Sequence, residues 1–171
     1  ALQFAIRRSL QIGHVATPLG FTVKTHKCPG KVTLRIIHRG LAPAWEGLSI
    51  WVYQQLKPFV DVLEHCRKDS FDVARYLRGV PTTEHVAASI IDLKDFYLSG
   101  EPFHISSQID KYVGGSVGTT LGGAIYFLLT NQLVISNTLP HLLQCIRGSG
   151  IGLLHSSMIA NLYFALSLIH I

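Results

Sequence analysis

Three groups of residues in this chain have types and spacings suited to chemistry. The first is Ile90-Ile91-Asp92-Leu93-Lys94-Asp95-Phe96-Tyr97, where a carboxylate ends an apolar run and a second follows three residues later, ahead of an aromatic pair. A charge at the end of a buried strand is costly unless it is paired or holds a metal ion. The alternative is a turn carboxylate or a helix N-cap. The second group is basic: Lys24, Lys27, Lys31 and Arg35 fall within twelve positions, a density suited to phosphates, or to a plain solvated face. The third is Arg147-Gly148-Ser149-Gly150-Ile151-Gly152, whose alternating glycines let backbone approach a ligand or a base pair closely. It is neither Gly-x-Gly-x-x-Gly after a strand nor a P-loop, since no Gly-Lys-Ser/Thr follows.

The elements that must position these groups are partly legible. Val86 to Leu93 is rich in strand formers and would deliver Asp92 at a strand's end. Phe21 to His26 and Val32 to Ile37 read as two strands joined across Cys28-Pro29-Gly30-Lys31. With Pro29 and Gly30 as the whole loop, Lys24 lies opposite Arg35 and His26 opposite Thr33. Trp45 to Cys66 carries apolar residues at helical spacing (Leu48, Val52, Leu56, Phe59 or Val60, and Leu63), with Pro58 expected to kink or divide it. Asp69 or Ser70 can cap a short helix, Phe71 to Leu77, ended by Gly79 and Pro81. Residues 98–120, rich in Gly, Ser and Thr, read as partly loop. Residues 125–129 fit helix or strand, Leu133-Val134-Ile135 a strand with Asn137 in the turn after it, and residues 153–171 an apolar helix. Leu2 to Ile6 fits either type.

Composition narrows the function classes. The chain has 171 residues, 48% of them hydrophobic and only 15% charged, enough to fill one core and leave apolar surface over. Its net charge of +5 is unevenly placed. Seven Lys or Arg precede Glu46 with no acid among them, while Arg147 is the one Lys or Arg after Lys111, and no Asp or Glu follows Asp110. Three irregularly spaced cysteines give neither a disulfide framework nor a zinc pattern, which points to a reducing, intracellular setting, nuclear or cytoplasmic. Nine histidines include no His-x-x-x-His pair. The C-terminal stretch approaches membrane-spanning length, yet His155, Ser156, Ser157 and Asn161 argue for a buried helix.

Taken in order, several of these pieces resemble the Penelope-like reverse transcriptases. Lys24-Thr25-His26-Lys27, then Pro29-Gly30 and Leu34-Arg35-Ile36-Ile37, is similar to that family's fingers motif, and Lys68-Asp69-Ser70 to its pre-catalytic segment. Asp92 to Tyr97 resembles the first palm motif, and Arg147 to Gly152 with Ala160-Asn161-Leu162-Tyr163 the second. The match runs from about residue 21 to 167. It implies an α+β fold, a right-hand polymerase's fingers and partial palm, with a mixed antiparallel sheet and packed helices. The parts would be a fingers-like segment at 1–85, a palm strand at 86–100, an insertion at 101–143 and the glycine motif with its helix at 144–171.

The resemblance also implies roles. Asp92 would bind catalytic Mg²⁺. Lys24, Lys27 and Arg35 would neutralise an incoming dNTP's triphosphate, and the backbone at Asp95 and Phe96 would touch it. Tyr97 would exclude a ribose 2′-hydroxyl, and Gly148 would pass under the template–nucleotide pair on an RNA or DNA template-primer. The departures are definite. Ile36 stands where the family has Pro, Cys145 stands where it has Gln, and no Asp-Asp motif follows. The resemblance therefore implies a polymerase piece lacking a downstream palm and thumb segment and expected to be inactive as given. A non-catalytic nucleic-acid-binding remnant and a small membrane-associated protein are the alternative readings.

Overall fold

The computed structural model describes residues 16–24, 32–38, 44–63, 67, 69–80, 93–136 and 142–168. They form an α+β arrangement of a four-stranded mixed sheet and five α-helices. The elements are β1 (Ala16–Lys24), β2 (Thr33–His38), α1 (Glu46–Asp61), α2 (Ser70–Arg78), a 3₁₀ turn (Phe96–Leu98), α3 (Pro102–Val113), α4 (Gly115–Thr130), β3 (Leu133–Ile135), β4 (Leu142–Gln144) and α5 (Ser156–Leu168). The strand order is β2-β1-β3-β4, with β1 and β3 parallel and the other neighbours antiparallel.

β1 changes partners along its length. Residues 16–18 pair with β3, and residues 19–24 pair with β2. Pro18, which has no N–H to give a ladder, falls at the end of the first pairing, where its missing donor costs least. The β1–β2 ribbon then runs on beyond the sheet. Thr22 lies opposite Arg35 and Lys24 opposite Thr33, two residues from the pairing a two-residue loop would impose. A tight hairpin favours primed turns, which Pro-Gly does not supply, and residues 25–31, which join the two strands, lie outside the described residues. The slip is even, so each side chain keeps the face the sequence assigns it.

The helices supply the core. α1 buries Leu48, Val52, Leu56 and Val60 at the expected spacing, and it ends at Asp61 rather than running to residue 66. Pro58 sits inside it on the exposed side, and the carbonyl it cannot bond belongs to exposed Gln54, where water can reach it. Leu56, Ile105, Ile109, Leu121, Ile125, Ile159 and Leu162 join α1, α3, α4 and α5 in one cluster. α2 follows the capping expectation: the Asp69 carboxylate accepts from the Asp72 N–H at 2.9 Å, and the helix stops at Gly79.

The stretch expected to be partly loop, 98–120, is instead mostly two helices. Pro102 starts α3 at a position whose N–H no helix uses, and Gly114 (φ 72°) makes the joint to α4. The glycines that suggested a loop let the helices approach. A Cβ on Gly118 would lie 2.5 Å from the Asp110 carbonyl oxygen, and one on Gly122 would lie 2.9 Å from the Asp110 Cβ. Residues 125–129 are helical, and Leu133–Ile135 is the expected strand. The expected strand at 86–93 lies outside the described residues except for Leu93, which is exposed and belongs to no strand. Leu2 to Ile6 and Asn137 also lie outside them.

Candidate functional site

The glycine segment 148–152 is where separate parts of the fold meet. On one side it joins the aromatic turn. The Ser149 N–H donates to the Tyr97 carbonyl at 2.7 Å, and the Gly148 N–H to the Gly100 carbonyl at 2.9 Å. Gly148 has φ 60°, and a Cβ there would lie 2.2 Å from the Tyr97 carbonyl oxygen. Only glycine meets both conditions without a shift of backbone. On the other side the segment joins β2. The His38 N–H donates to the Ile151 carbonyl at 2.8 Å, Gly150 rests on the His38 ring, and Gly152 on the His38 carbonyl.

Two side chains that carry no local sequence signal hold the segment in this shape. Buried Gln132, just before β3, donates from Nε2 to the Gly148 carbonyl at 2.9 Å and accepts the Gly150 N–H at Oε1, 2.6 Å away. A primary amide can serve a donor and an acceptor at once, so one side chain satisfies two buried backbone groups. From α5, the Ser156 hydroxyl donates to the Gly150 carbonyl at 2.6 Å and lies 2.7 Å from the Ser149 hydroxyl.

The aromatic turn is equally defined. Asp95 is exposed and left-handed (φ 53°, ψ 35°), which starts the 3₁₀ turn, and its carbonyl accepts from the Leu98 N–H and the Ser99 hydroxyl. Phe96 packs edge-on against Tyr97 and against Phe164 of α5, with centroids 5.3 and 5.8 Å apart. An open groove of about 180 Å³ lies between the turn and α5, walled by Leu93, Lys94, Phe96, Ala160, Tyr163 and Phe164. The Arg147 guanidinium reaches Glu101 at 2.9 Å, but both side chains are more than half exposed, so this ion pair adds little.

Of the residues singled out in the sequence, Tyr97, Phe96, Asp95 and Gly148 come together here although about 50 positions separate the turn from Gly148. Arg35 is exposed on β2, three residues before the His38 that touches the glycine segment. Asp92 and Lys27 lie outside the described residues, as does the side chain of Lys24. Of Gln144 and Cys145, which precede the glycine motif, the first turns to α4 and the second to the motif's own backbone. The Gln144 amide donates to the Thr130 carbonyl at 2.6 Å, and the half-buried Cys145 thiol, pushed up by burial, lies 3.2 Å from the Arg147 carbonyl.

The expected magnesium ligand, Asp92, lies outside the described residues. No cluster of three or more His, Cys, Asp or Glu occurs among the described residues. Asp92 alone would not hold two hard cations that each want several oxygens. No helix among the described residues is long and apolar enough to cross a membrane. No family model, curated protein or solved structure matches this chain.

Proposed function

We propose that this chain is the fingers and partial palm of a retroelement RNA-directed DNA polymerase, serving as a binding surface for nucleic acid and nucleotide and not polymerising by itself. The observation that carries the reading is the seating of Gly148 and Ser149 on the backbone of Tyr97 and Gly100. The reading needs the first palm motif and the glycine motif side by side, and the hydrogen bonds from the glycine motif to Tyr97 and Gly100 favour it. The β1–β2 ribbon bearing Arg35 ends on the same segment through His38, which adds a basic strand to the same neighbourhood.

Each element then has a physical task. The basic ribbon attracts phosphates without reading sequence. The glycine segment offers backbone without side chains to a flat partner. The Phe96–Tyr97 pair gives a rigid aromatic wall beside it. No metal-dependent step is assigned to the chain: the resemblance gives the metal-binding role to Asp92 alone, and Asp95 to a backbone contact.

The test is binding of a fluorescent primer–template across a salt series. The whole chain should bind with an affinity that falls steeply with salt and changes little with sequence. Replacing Lys24, Lys27 and Arg35 together by Ala should weaken binding at low salt at least tenfold and reduce the salt slope by about two to three, since each phosphate contact contributes about one. Unchanged affinity and slope in the triple variant would overturn the reading.

A further inference from the structure

Behind the glycine segment lies a second, smaller feature that the proposed function does not use. It is a cavity of about 40 Å³, and its polar lining residues include Thr17, His38, Trp45, Ser49, Gln132 and His155, with Asn131 beside Gln132. These residues belong to β1, β2, the N-cap of α1, α1 itself, the approach to β3 and the residue before α5. The cavity therefore sits at the joint between the sheet and the helical layer.

Two polar atoms of these lining residues are buried without a hydrogen-bond partner among the described residues, the Trp45 indole Nε1 and His155 Nε2. The rest of each side chain is firmly placed. The Trp45 ring packs edge-on against Phe127, with centroids 4.8 Å apart. His155 is 3% exposed, and its Nδ1 lies 2.7 Å from the Ser49 hydroxyl. Neither ring can swing out to find solvent without breaking these contacts. Buried polar atoms are paired in folded proteins by protein or by ordered water. A water needs roughly 10–15 Å³ of such volume and two to four polar partners. The cavity supplies the room and the partners, and it is far too small for a nucleobase.

We propose that this cavity binds one internal water, or a neutral molecule of its size, which accepts from the Trp45 indole N–H and pairs with His155 Nε2. A water both donates and accepts, so it suits either tautomer of a neutral imidazole. The bridge ties the start of α1 to the residue before α5. With the Ser49 hydroxyl it makes a continuous chain, Trp45–water–His155–Ser49, behind the backbone that Gln132 and His38 hold. The site takes a neutral ligand because its walls carry no Asp, Glu, Lys or Arg, and His38 and His155 are their only titratable groups. Burial holds both imidazoles in the neutral form.

Water-selective NMR on the isotope-labelled whole chain tests this directly. The Trp45 indole N–H should show a cross-relaxation peak with a long-lived water, its sign in the laboratory and rotating frames distinguishing bound water from hydrogen exchange. The indole of buried Trp51 serves as the internal control. In Trp45→Phe the His155 Nε2 nitrogen resonance should move while that of His38 stays. A protected Trp45 N–H with no water peak would overturn the proposal even if the variant failed to fold. So would an unmoved His155 resonance in a folded Trp45→Phe, or a direct Trp45–His155 coupling across a hydrogen bond. The outcome is independent of whether the chain binds nucleic acid.

Discussion

His155 shows how a single residue sets a condition on the whole site. Burial, with a smaller contribution from neighbouring His38, lowers its pKa from 6.5 to about 4. The unfolded chain therefore takes up this proton first as pH falls, and stability follows pH. The contribution is complete above about 6.5, declines between there and about 4, and is gone below. It amounts to on the order of 3 kcal/mol. Chemical denaturation at pH 7 and pH 4.5 should show wild type losing more stability than His155→Gln, and equal losses would count against the buried neutral imidazole. Gly148 makes a second residue-scale case. Gly148→Ala adds a Cβ at a left-handed backbone position and against the Tyr97 carbonyl, and should destabilise by roughly 2–4 kcal/mol in the same assay. A cost under about 0.5 kcal/mol would mean that the aromatic turn and the glycine segment are not seated on each other. The sequence marks Gly148 through its glycine pattern. It does not mark Gln132 or His155, because a lone Gln or His acquires its role only from the partners that folding brings to it.

At the scale of elements, what could be read was periodicity and capping. The α1 spacing, the Asp69 cap and the Leu133–Ile135 strand are local patterns, and local patterns suffice to define them. The α3–α4 pair was hidden for a physical reason. Glycine lowers helix propensity by about 1 kcal/mol per residue relative to Ala, so a stretch with Gly114, Gly115 and Gly118 looks like loop. Only tertiary contact reveals that Gly118 and Gly122 face α3. The same contact fixes opposite signs for two identical substitutions. Gly118→Ala should lower stability by about 1–3 kcal/mol, because its Cβ meets the Asp110 carbonyl oxygen and the helices must part. Gly123→Ala has nothing within 4 Å and should raise stability by about 0.5–1 kcal/mol through helix propensity alone. Thermal melts of the two variants check this; matching signs would mean that the helices do not pack through Gly118. The hairpin register escaped the sequence for a different reason, since face patterning is unchanged by a two-residue slip and only the position and length of the turn choose between registers.

For the whole molecule, the imbalance between apolar content and burial matters most. α2 buries none of its residues, and Phe71 is 82% exposed, with Val73, Tyr76 and Leu77 also uncovered. On the β1–β2 ribbon, Phe21 pairs with Ile36 and Val23 with Leu34, which puts four half-exposed apolar side chains on one face. The high apolar fraction of the sequence foretold such surface but not its location, because amphipathic periodicity marks an apolar face without saying what covers it. An extended ribbon with an apolar face and an edge that no described strand pairs is also a template for pairing with another chain. The isolated chain should therefore self-associate as concentration rises, measured by light scattering after size exclusion. Replacing Val23 and Leu34 by Thr keeps strand propensity while removing apolar area, and Phe71→Glu and Leu77→Lys do the same for α2. The fourfold variant should shift the distribution towards monomer. Its melting free energy should stay within about 0.5 kcal/mol per substitution, since these side chains give little to the core. A large loss of stability without loss of association would mean that these faces are covered in the folded chain, and that association proceeds through a different surface.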